Sequence, residues 1–577
     1  MPGIRIELPA PAGVNLDEAR ARRNPRSRAG LQARWAKNLV LDGARASPRS
    51  AFGSWGDGVC VPKSGVPFSG GLRCVGMYAY RLSTGARRWC SWHEDVVSGT
   101  SFVAPYVMQG NKRVDNASFA FPAVDAKDEG VPVSAVVFED VVLWCGPATS
   151  GRIYALEEHP AVGHIPLSVV NRDLDAKAIL GQDPGPYEVA PPRARVLGVF
   201  QDRVMSAWDD TLRWSNILDY QGWPSDNFAV LSLGDTDAIT AMGANGGSLV
   251  VSSADYIWTV SGDMQTYART QIRNPVHAHG CVAPKTWARG GGGYFYLADD
   301  GVRWTDGVNM KHLSGAIDAV LGGTSRATSF RGAPDWRGNA TMRKAWGVYL
   351  ADRKWYVLAV PTAEGGGEDA WDATIAASTQ TLWVLDVSRG EWMGPWEGLP
   401  GIEAGCAVEL ADESEAFVVA DAQGYHWVMD DGPFDEYRTA SFDLAQRKVR
   451  WTLRFWPVDI GDREDAHLTG ALLEVYDDSD EAMELCVGDG EEDVDNPPAV
   501  TVTPDHTAKT LDEFIIGTTA IEGERVVTHD MGLAGLVGDT AHVEIRAEGV
   551  PGDVDAFGSQ SFKSLTLLGE VIGGGDA

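Results

Sequence analysis

The residues Tyr294-Phe295-Tyr296-Leu297-Ala298-Asp299-Asp300-Gly301-Val302-Arg303-Trp304 decide the fold. An aromatic and aliphatic run stops at Asp-Asp-Gly, residues that favour a tight turn, and a second short run ends in tryptophan. This reads as strand, turn, strand. The same unit returns on either side. Leu249-Val250-Val251 with Tyr256-Ile257-Trp258 precedes it; Gly347-Val348-Tyr349-Leu350 with Lys354-Trp355-Tyr356, Leu382-Trp383-Val384-Leu385 with Glu391-Trp392, and Phe417-Val418-Val419 with Tyr425-His426-Trp427 follow. Counted from Trp214, the second-strand tryptophans are 44, 46, 51, 37 and 35 residues apart. A propeller blade of four antiparallel strands takes ~40–50 residues, and bulky aromatics suit the flat faces that neighbouring blades bury. Two upstream hairpins, opening at Val137-Phe138-Glu139-Asp140 and Val199-Phe200-Gln201-Asp202, bring the expected count to six or seven blade-like units. A multi-sheet β-sandwich is the competing architecture for this stretch.

The fold expected is all-β: an irregular β-propeller-like body over residues 51–437, clearest at 131–430, with a C-terminal β-sandwich over 438–577 and an extended basic N-terminal arm over 1–50. The C-terminal boundary rests on the change of texture at Lys448-Val449-Arg450-Trp451-Thr452-Leu453-Arg454, whose alternation fits a strand with one charged face. The arm carries ten basic residues against four acidic ones, densest at Arg20, Arg22, Arg23, Arg26 and Arg28. Three readings of it stay open: a solvated tail, an arm docking on an acidic neighbour, or a local contact with DNA.

The rest of the chain has the opposite sign. Across 577 residues, 80 Asp and Glu stand against 49 Lys and Arg, a formal charge of −31 that argues against gripping nucleic acid through the bulk surface. Acidic residues are densest at Asp477, Asp478, Asp480 and Glu481, and again at Glu491, Glu492, Asp493 and Asp495. Such runs face water because like charges repel, and neither has the spacing of a calcium loop. Seven cysteines without a CxxC pair read as buried thiols. The opening residues lack a secretory pattern, and no apolar run is long enough for a membrane helix, so a cytosolic site of synthesis is expected.

No cofactor or catalytic group is expected. The chain lacks GxxxxGK[ST], a complete GxGxxG, HExxH and GxSxG. Gly290-Gly291-Gly292-Gly293 precedes a strand rather than opening a helix, so it reads as a flexible connection between blades and not a phosphate cradle. His277, His279 and Cys281 would share one face of a strand, a geometry adequate for a metal, but a fourth ligand is not evident and Cys281-Val282-Ala283-Pro284 reads as a buried strand end. Asp300 and Asp352 sit in hairpin turns, where Asp is expected for turn chemistry alone. Two glycan readings stay open: a sialidase-like propeller, although the Asp-box spacing is not reproduced, and sugar stacking on Trp89, Trp92, Trp392 and Trp396.

One stretch carries a resemblance. Val199-Phe200-Gln201-Asp202-Arg203-Val204, then Leu212-Arg213-Trp214-Ser215-Asn216-Ile217-Leu218-Asp219-Tyr220 and Trp223-Pro224, resembles the tail nozzle proteins of short-tailed bacteriophages, also called tail tubular protein B or packaged-DNA stabilisation proteins. The order continues through Leu233-Gly234-Asp235, Ala238-Ile239-Thr240-Ala241-Met242, Tyr256-Ile257-Trp258-Thr259-Val260-Ser261-Gly262, His279-Gly280-Cys281-Val282-Ala283-Pro284 and the strand Tyr294-Phe295-Tyr296-Leu297 ending in Asp300-Gly301-Val302, and the N-terminal Ala36-Lys37-Asn38-Leu39-Val40-Leu41-Asp42-Gly43 is also similar. The likeness covers residues 190–310 closely and the rest by architecture. It implies a structural protein of the virion, assembled in the host cytoplasm. The implied assembly is a homohexameric ring below the portal and adaptor, meeting tail fibre or tail tip proteins, with DNA passing along the axis without specific binding and without catalysis; the acidic runs at 477–481 and 491–495 are then the candidate lumen loops, with the outer wall as their alternative place. A host propeller serving as a protein-interaction scaffold is the remaining alternative.

Overall fold

The computed structural model describes residues 3–15, 32–42, 44–55, 73–97, 100–109, 112–113, 121–122, 133–146, 153–158, 169–173, 188–189, 192–231, 238–264, 270–321, 344–361, 380–396, 402–421, 424–429, 434–438, 444–449, 451–455, 458–459, 466–476, 483–488, 500–502, 526–537, 540–547 and 561–571. The chain is nearly all-β, with a propeller body. Among the described residues, six antiparallel blades follow one another in sequence, each with four strands and the first with a short fifth, Lys112–Arg113. Blade 1 begins with Arg73–Arg81, Arg87–Val97 and Thr100–Gln109 and is completed by Phe121–Pro122. Blade 2 runs from Ser134–Phe138 to Val169–Asp173, blade 3 from Val196–Phe200 to Phe228–Val230, and blade 4 from Ala241–Asn245 to Thr270–Ala278. Blade 5 runs from Ala288–Gly290 to Met310–His312, and blade 6 from Trp346–Leu350 to Glu391–Trp396.

A seventh sheet closes the ring. Ile402–Glu409, Glu415–Asp421 and His426–Met429 take their fourth strand from the other end of the chain, where Phe52–Ser54 pairs with Met429, Val428 and Trp427. The first strand of this seventh blade packs on the first strand of blade 1. The expected propeller is therefore present, with one correction to its internal count. The hairpins at Gly347–Trp355 and Leu382–Trp392 belong to one sheet, strands one to four of blade 6. The Val199 hairpin and Trp214 likewise share blade 3. First and second hairpins of a blade look alike locally, so tryptophan spacing counted some blades twice, and it overlooked blade 1.

Blade faces are buried on both sides. Every residue of Gly293–Ala298 is buried, and the aromatics that mark the hairpins, among them Trp214, Tyr296, Tyr356, Trp392 and Trp427, are enclosed between sheets. Glycines in the innermost strands allow this closeness. A Cβ on Gly243 of blade 4 would overlap the Tyr294 ring of blade 5, and one on Gly290 of blade 5 would overlap the Tyr349 ring of blade 6. Tyr294 lies over Trp287 with ring centroids 4.7 Å apart, and its hydroxyl donates to the Ala244 carbonyl at 2.6 Å.

Two further sheets form the C-terminal sandwich. One orders Leu39–Leu41, Ala46–Pro48, Ser561–Val571, Ala466–Tyr476 and Val526–Val537, with Gly3–Pro9 also paired to Ser561–Val571. The other joins Trp451–Arg454, Thr540–Ala547, Met483–Gly488 and Val500–Val502. Leu8, Ala471, Leu565 and Leu567 from the first share one core with Leu453, Leu485, Val543 and Ile545 from the second. The second sheet continues into the propeller, because Trp35–Lys37 lies between Trp451–Arg454 and the outer strand of blade 6. The described parts of the N-terminal segment are thus extended, as expected, and they are strands of the fold with Leu8, Val14, Ala36 and Leu41 buried.

Candidate functional site

Among the described residues, a group of chemically capable side chains gathers at one end of blade 5. Asp299 and Asp300 form the turn between Gly293–Ala298 and Gly301–Thr305, the second and third strands. In an up-and-down blade this turn lies at the same end as the links that leave each fourth strand, so both neighbouring links reach it. His279 directly follows Thr270–Ala278, the fourth strand of blade 4, and His312 ends Met310–His312, the fourth strand of blade 5.

His279 has a left-handed backbone, φ 73°, uncommon for a residue with a Cβ, and the Tyr296 hydroxyl donates to its carbonyl at 3.2 Å. Its Nδ1 stands 2.7 Å from Asp299 Oδ1 and 3.8 Å from Asp300 Oδ1. Asp300 is also gripped by a fork: Arg303 Nε donates to Oδ1 at 2.8 Å and Nη2 donates to Oδ2. Burial pushes the Asp300 carboxyl up, but the hydrogen bonds and charge of Arg303, with His279 and His312 nearby, outweigh it and hold the group below its usual range. Asp300 in turn raises the Arg303 guanidinium. Exposure is graded: Asp299 is 60% accessible at its side chain, His279 38% and Arg303 14%.

Beside this group, His312, Ser314 and Asp318 have the composition of a hydrolytic triad without its geometry. In a triad the imidazole joins serine to carboxylate through its two different nitrogens. Here the same nitrogen, His312 Nε2, faces Ser314 Oγ at 3.3 Å and Asp318 Oδ1 at 3.4 Å, while Ser314 donates directly to Asp318 at 2.6 Å. Ser314 is fully buried and also accepts the Val302 N–H at 2.9 Å, so its hydroxyl fastens the turn.

The sequence candidates fare as follows. Arg20, Arg22, Arg23, Arg26 and Arg28 lie outside the described residues, as do Asp477, Asp478, Asp480, Glu481, Glu491, Glu492, Asp493 and Asp495. His279 and Cys281 do not share a strand face, because the strand ends at Ala278; Cys281 points into a core with Val250, Ile257 and Tyr296, where burial pushes its thiol up to about 12. The side chain of His277 is outside the described residues. Trp89, Trp92, Trp392 and Trp396 are fully buried and offer no sugar platform. Asp352 ties blade 6 to blade 7 by accepting the Glu415 N–H at 2.9 Å. The meeting of His279 with Asp299 and Asp300 was missed from sequence; the signal was a histidine just past a strand end, twenty residues before an Asp-Asp turn.

A second cluster lies where the ring closes. His93 of blade 1 and His426 of blade 7 are buried with ring centroids 5.4 Å apart, and Trp89 lies edge-on to His426 at 4.9 Å. His93 Nε2 is 3.0 Å from Ser91 Oγ. Burial first, then the neighbouring His93, holds the His426 imidazole well below its ordinary value, so it is neutral. The His426 carbonyl accepts the Trp55 N–H at 3.0 Å, next to the closing strand.

No family model matches the chain, and no curated protein matches it. Among solved structures, it is similar to the AfRom2 CNH domain, at 9% identity and TM-score 0.30 over 62% of this chain and 93% of that one. It is also similar to Kluyveromyces lactis Hsv2, at 10% identity and TM-score 0.29 over 65% of this chain and 98% of that one. A third likeness is to the extracellular domain of the putative hybrid two component system BT4673 from B. thetaiotaomicron, at 8% identity and TM-score 0.25 over 70% of this chain and 58% of that one. None of these likenesses carries a functional inference.

Proposed function

We propose that this chain is a structural tail nozzle subunit of a short-tailed bacteriophage, a non-catalytic component of the virion. In this reading six copies form a ring below the portal and adaptor, hold packaged DNA until release, and guide its exit. The observation that carries the proposal is the ordered motif run from Val199 to Val302, which occupies three consecutive blades, 3 to 5. The charge of −31 supports it physically, because an acidic wall lets DNA slide, whereas a basic one would hold it through counterion release. Electron microscopy of the purified protein, alone and with portal–adaptor complexes, tests the reading. Six-fold rings seated on the adaptor are expected; a monomer that never engages such complexes would overturn it.

A broader reading, a propeller that serves as a protein-interaction scaffold, is favoured by a different observation. Ile217, Leu218, Phe228 and Val230 of blade 3 are exposed at 57%, 58%, 41% and 53%, an unusual concentration of apolar surface on one blade. Both readings expect no turnover of oligosaccharides, esters or nucleotides. Hydrolysis abolished by one carboxylate substitution would remove both.

A further inference from the structure

We infer that His279, Asp299 and Asp300 form a binding site for a divalent transition-metal cation of the zinc class. Among the described residues this is the one group of three such side chains whose ligand atoms lie within 4.8 Å of one another. An imidazole nitrogen with two carboxylate oxygens is a donor set for zinc or cobalt, borderline ions that accept both, and differs from the all-oxygen sets preferred by calcium and magnesium.

The spacing fits. Bonds of ~2.0–2.2 Å in a tetrahedron place ligand atoms about 3.4 Å apart. His279 Nδ1 stands 2.7 Å from one carboxylate and 3.8 Å from the other, so the two distances bracket that value. Asp299 is well exposed, so its carboxylate can move outward from 2.7 Å toward the ~3.4 Å that a tetrahedron needs. Asp300 is oriented from behind by Arg303, which leaves a lone pair of Oδ1 for an ion, and Tyr296 fixes the His279 backbone. Three protein ligands at an accessible blade end leave further positions to water. Ligation through Nδ1 requires that nitrogen to be free of its proton, which moves to Nε2 or is released to water, and the ion replaces the hydrogen bond to Asp299. The two carboxylates supply two negative charges and Arg303 one compensating positive charge, so the ion enters a site of net charge −1.

The test uses the full chain stripped with a chelator and titrated with zinc chloride by calorimetry, with cobalt chloride followed by its visible absorption. Two variants accompany it. Asp299→Asn removes an exposed ligand, and His279→Asn removes the imidazole while keeping a residue that tolerates the left-handed backbone. One zinc per chain is expected, weakened at least about tenfold in each variant, with calcium and magnesium failing to compete. Circular dichroism and thermal melting establish that the variants are folded. Absence of saturable binding, or zinc affinity that survives either substitution, overturns the site. The nozzle reading stands or falls separately, since ring formation is scored without added metal.

Discussion

Two seams of the same ring are closed by opposite means. Between blades 4 and 5, Tyr294 drops onto Gly243 and stacks on Trp287, and the ionisable groups are kept at the blade's open end. Between blades 7 and 1, two imidazoles are sealed inside, next to Trp89 and a strand brought from residues 52–54. The first seam joins neighbours in sequence and relies on apolar contact. The second joins the two ends of the propeller and adds to its apolar contacts, among them Trp89, Val408 and Val418, a buried imidazole, His426, that burial and the neighbouring His93 hold well below its ordinary value. Ring closure thus encloses an imidazole whose burial opposes protonation, whereas the ionisable groups of the blade 5 corner are partly exposed.

The largest effect that would break this comparison comes from the closing strand. Phe52 is fully buried and meets Phe417 edge-on at 5.9 Å. Phe52→Ala is expected to cost about 3–5 kcal/mol, read from urea unfolding; a loss below 1 kcal/mol would show that the seventh blade does not depend on it. Next, Gly243→Val forces a side chain into the Tyr294 ring and is expected to cost about 1–3 kcal/mol, with the loss reduced when Tyr294→Ala is added. Independent, additive losses would separate the glycine from that contact.

The pH dependence is smaller and sharper. His426 is held neutral in the fold, so the unfolded chain binds the extra proton. Its contribution is complete above pH ~6.5 and is lost as pH falls through that value, by at most about 1.4 kcal/mol per pH unit. His426→Gln should flatten the decline in melting temperature between pH 6.5 and 5 relative to the parent. An unchanged slope would place the acid sensitivity elsewhere. Smallest is Asp299→Asn, expected to change stability in metal-free buffer by less than about 1 kcal/mol, since an exposed ion pair contributes little. A larger loss, measured by thermal melting, would make the blade 5 corner a structural seam like the others.

Strands and turns were legible in the sequence where aromatic runs meet Asp-Gly turns, as at Tyr294 to Trp304. Blade 1 was not, because Arg73–Arg81 and Arg87–Val97 mix Arg, Cys and His with the apolar residues and are joined by Leu82-Ser83-Thr84-Gly85-Ala86, with no acidic turn. Long-range pairing was invisible for a physical reason: nothing local in Phe52-Gly53-Ser54 specifies Trp427 to Met429, and nothing in Trp35-Ala36-Lys37 specifies blade 6. The candidate site was half legible. Asp300 was recognised as a turn residue and His279 as a ligand type, but period-two alternation assigned His279 to the face of Cys281, and the left-handed turn after Ala278 sends it to Asp299 instead. Gly243 and Gly290, glycines inside or ending apolar strands, were a readable sign of close packing that tryptophan counting overlooked.

The pairing of Phe52 with Met429 also sets a clock. A ribosome adding ~5–20 residues per second reaches the partner roughly 20–75 s after the closing strand has emerged. For that interval the first blade exists without its neighbour, and Gly3–Pro9 must wait longer still, for Ser561–Val571. Birth order thus makes the N-terminal strands wait for their partners, and a nascent chain stalled between blade 6 and Ile402–Glu409 is an open arc whose first blade lacks its closing neighbour.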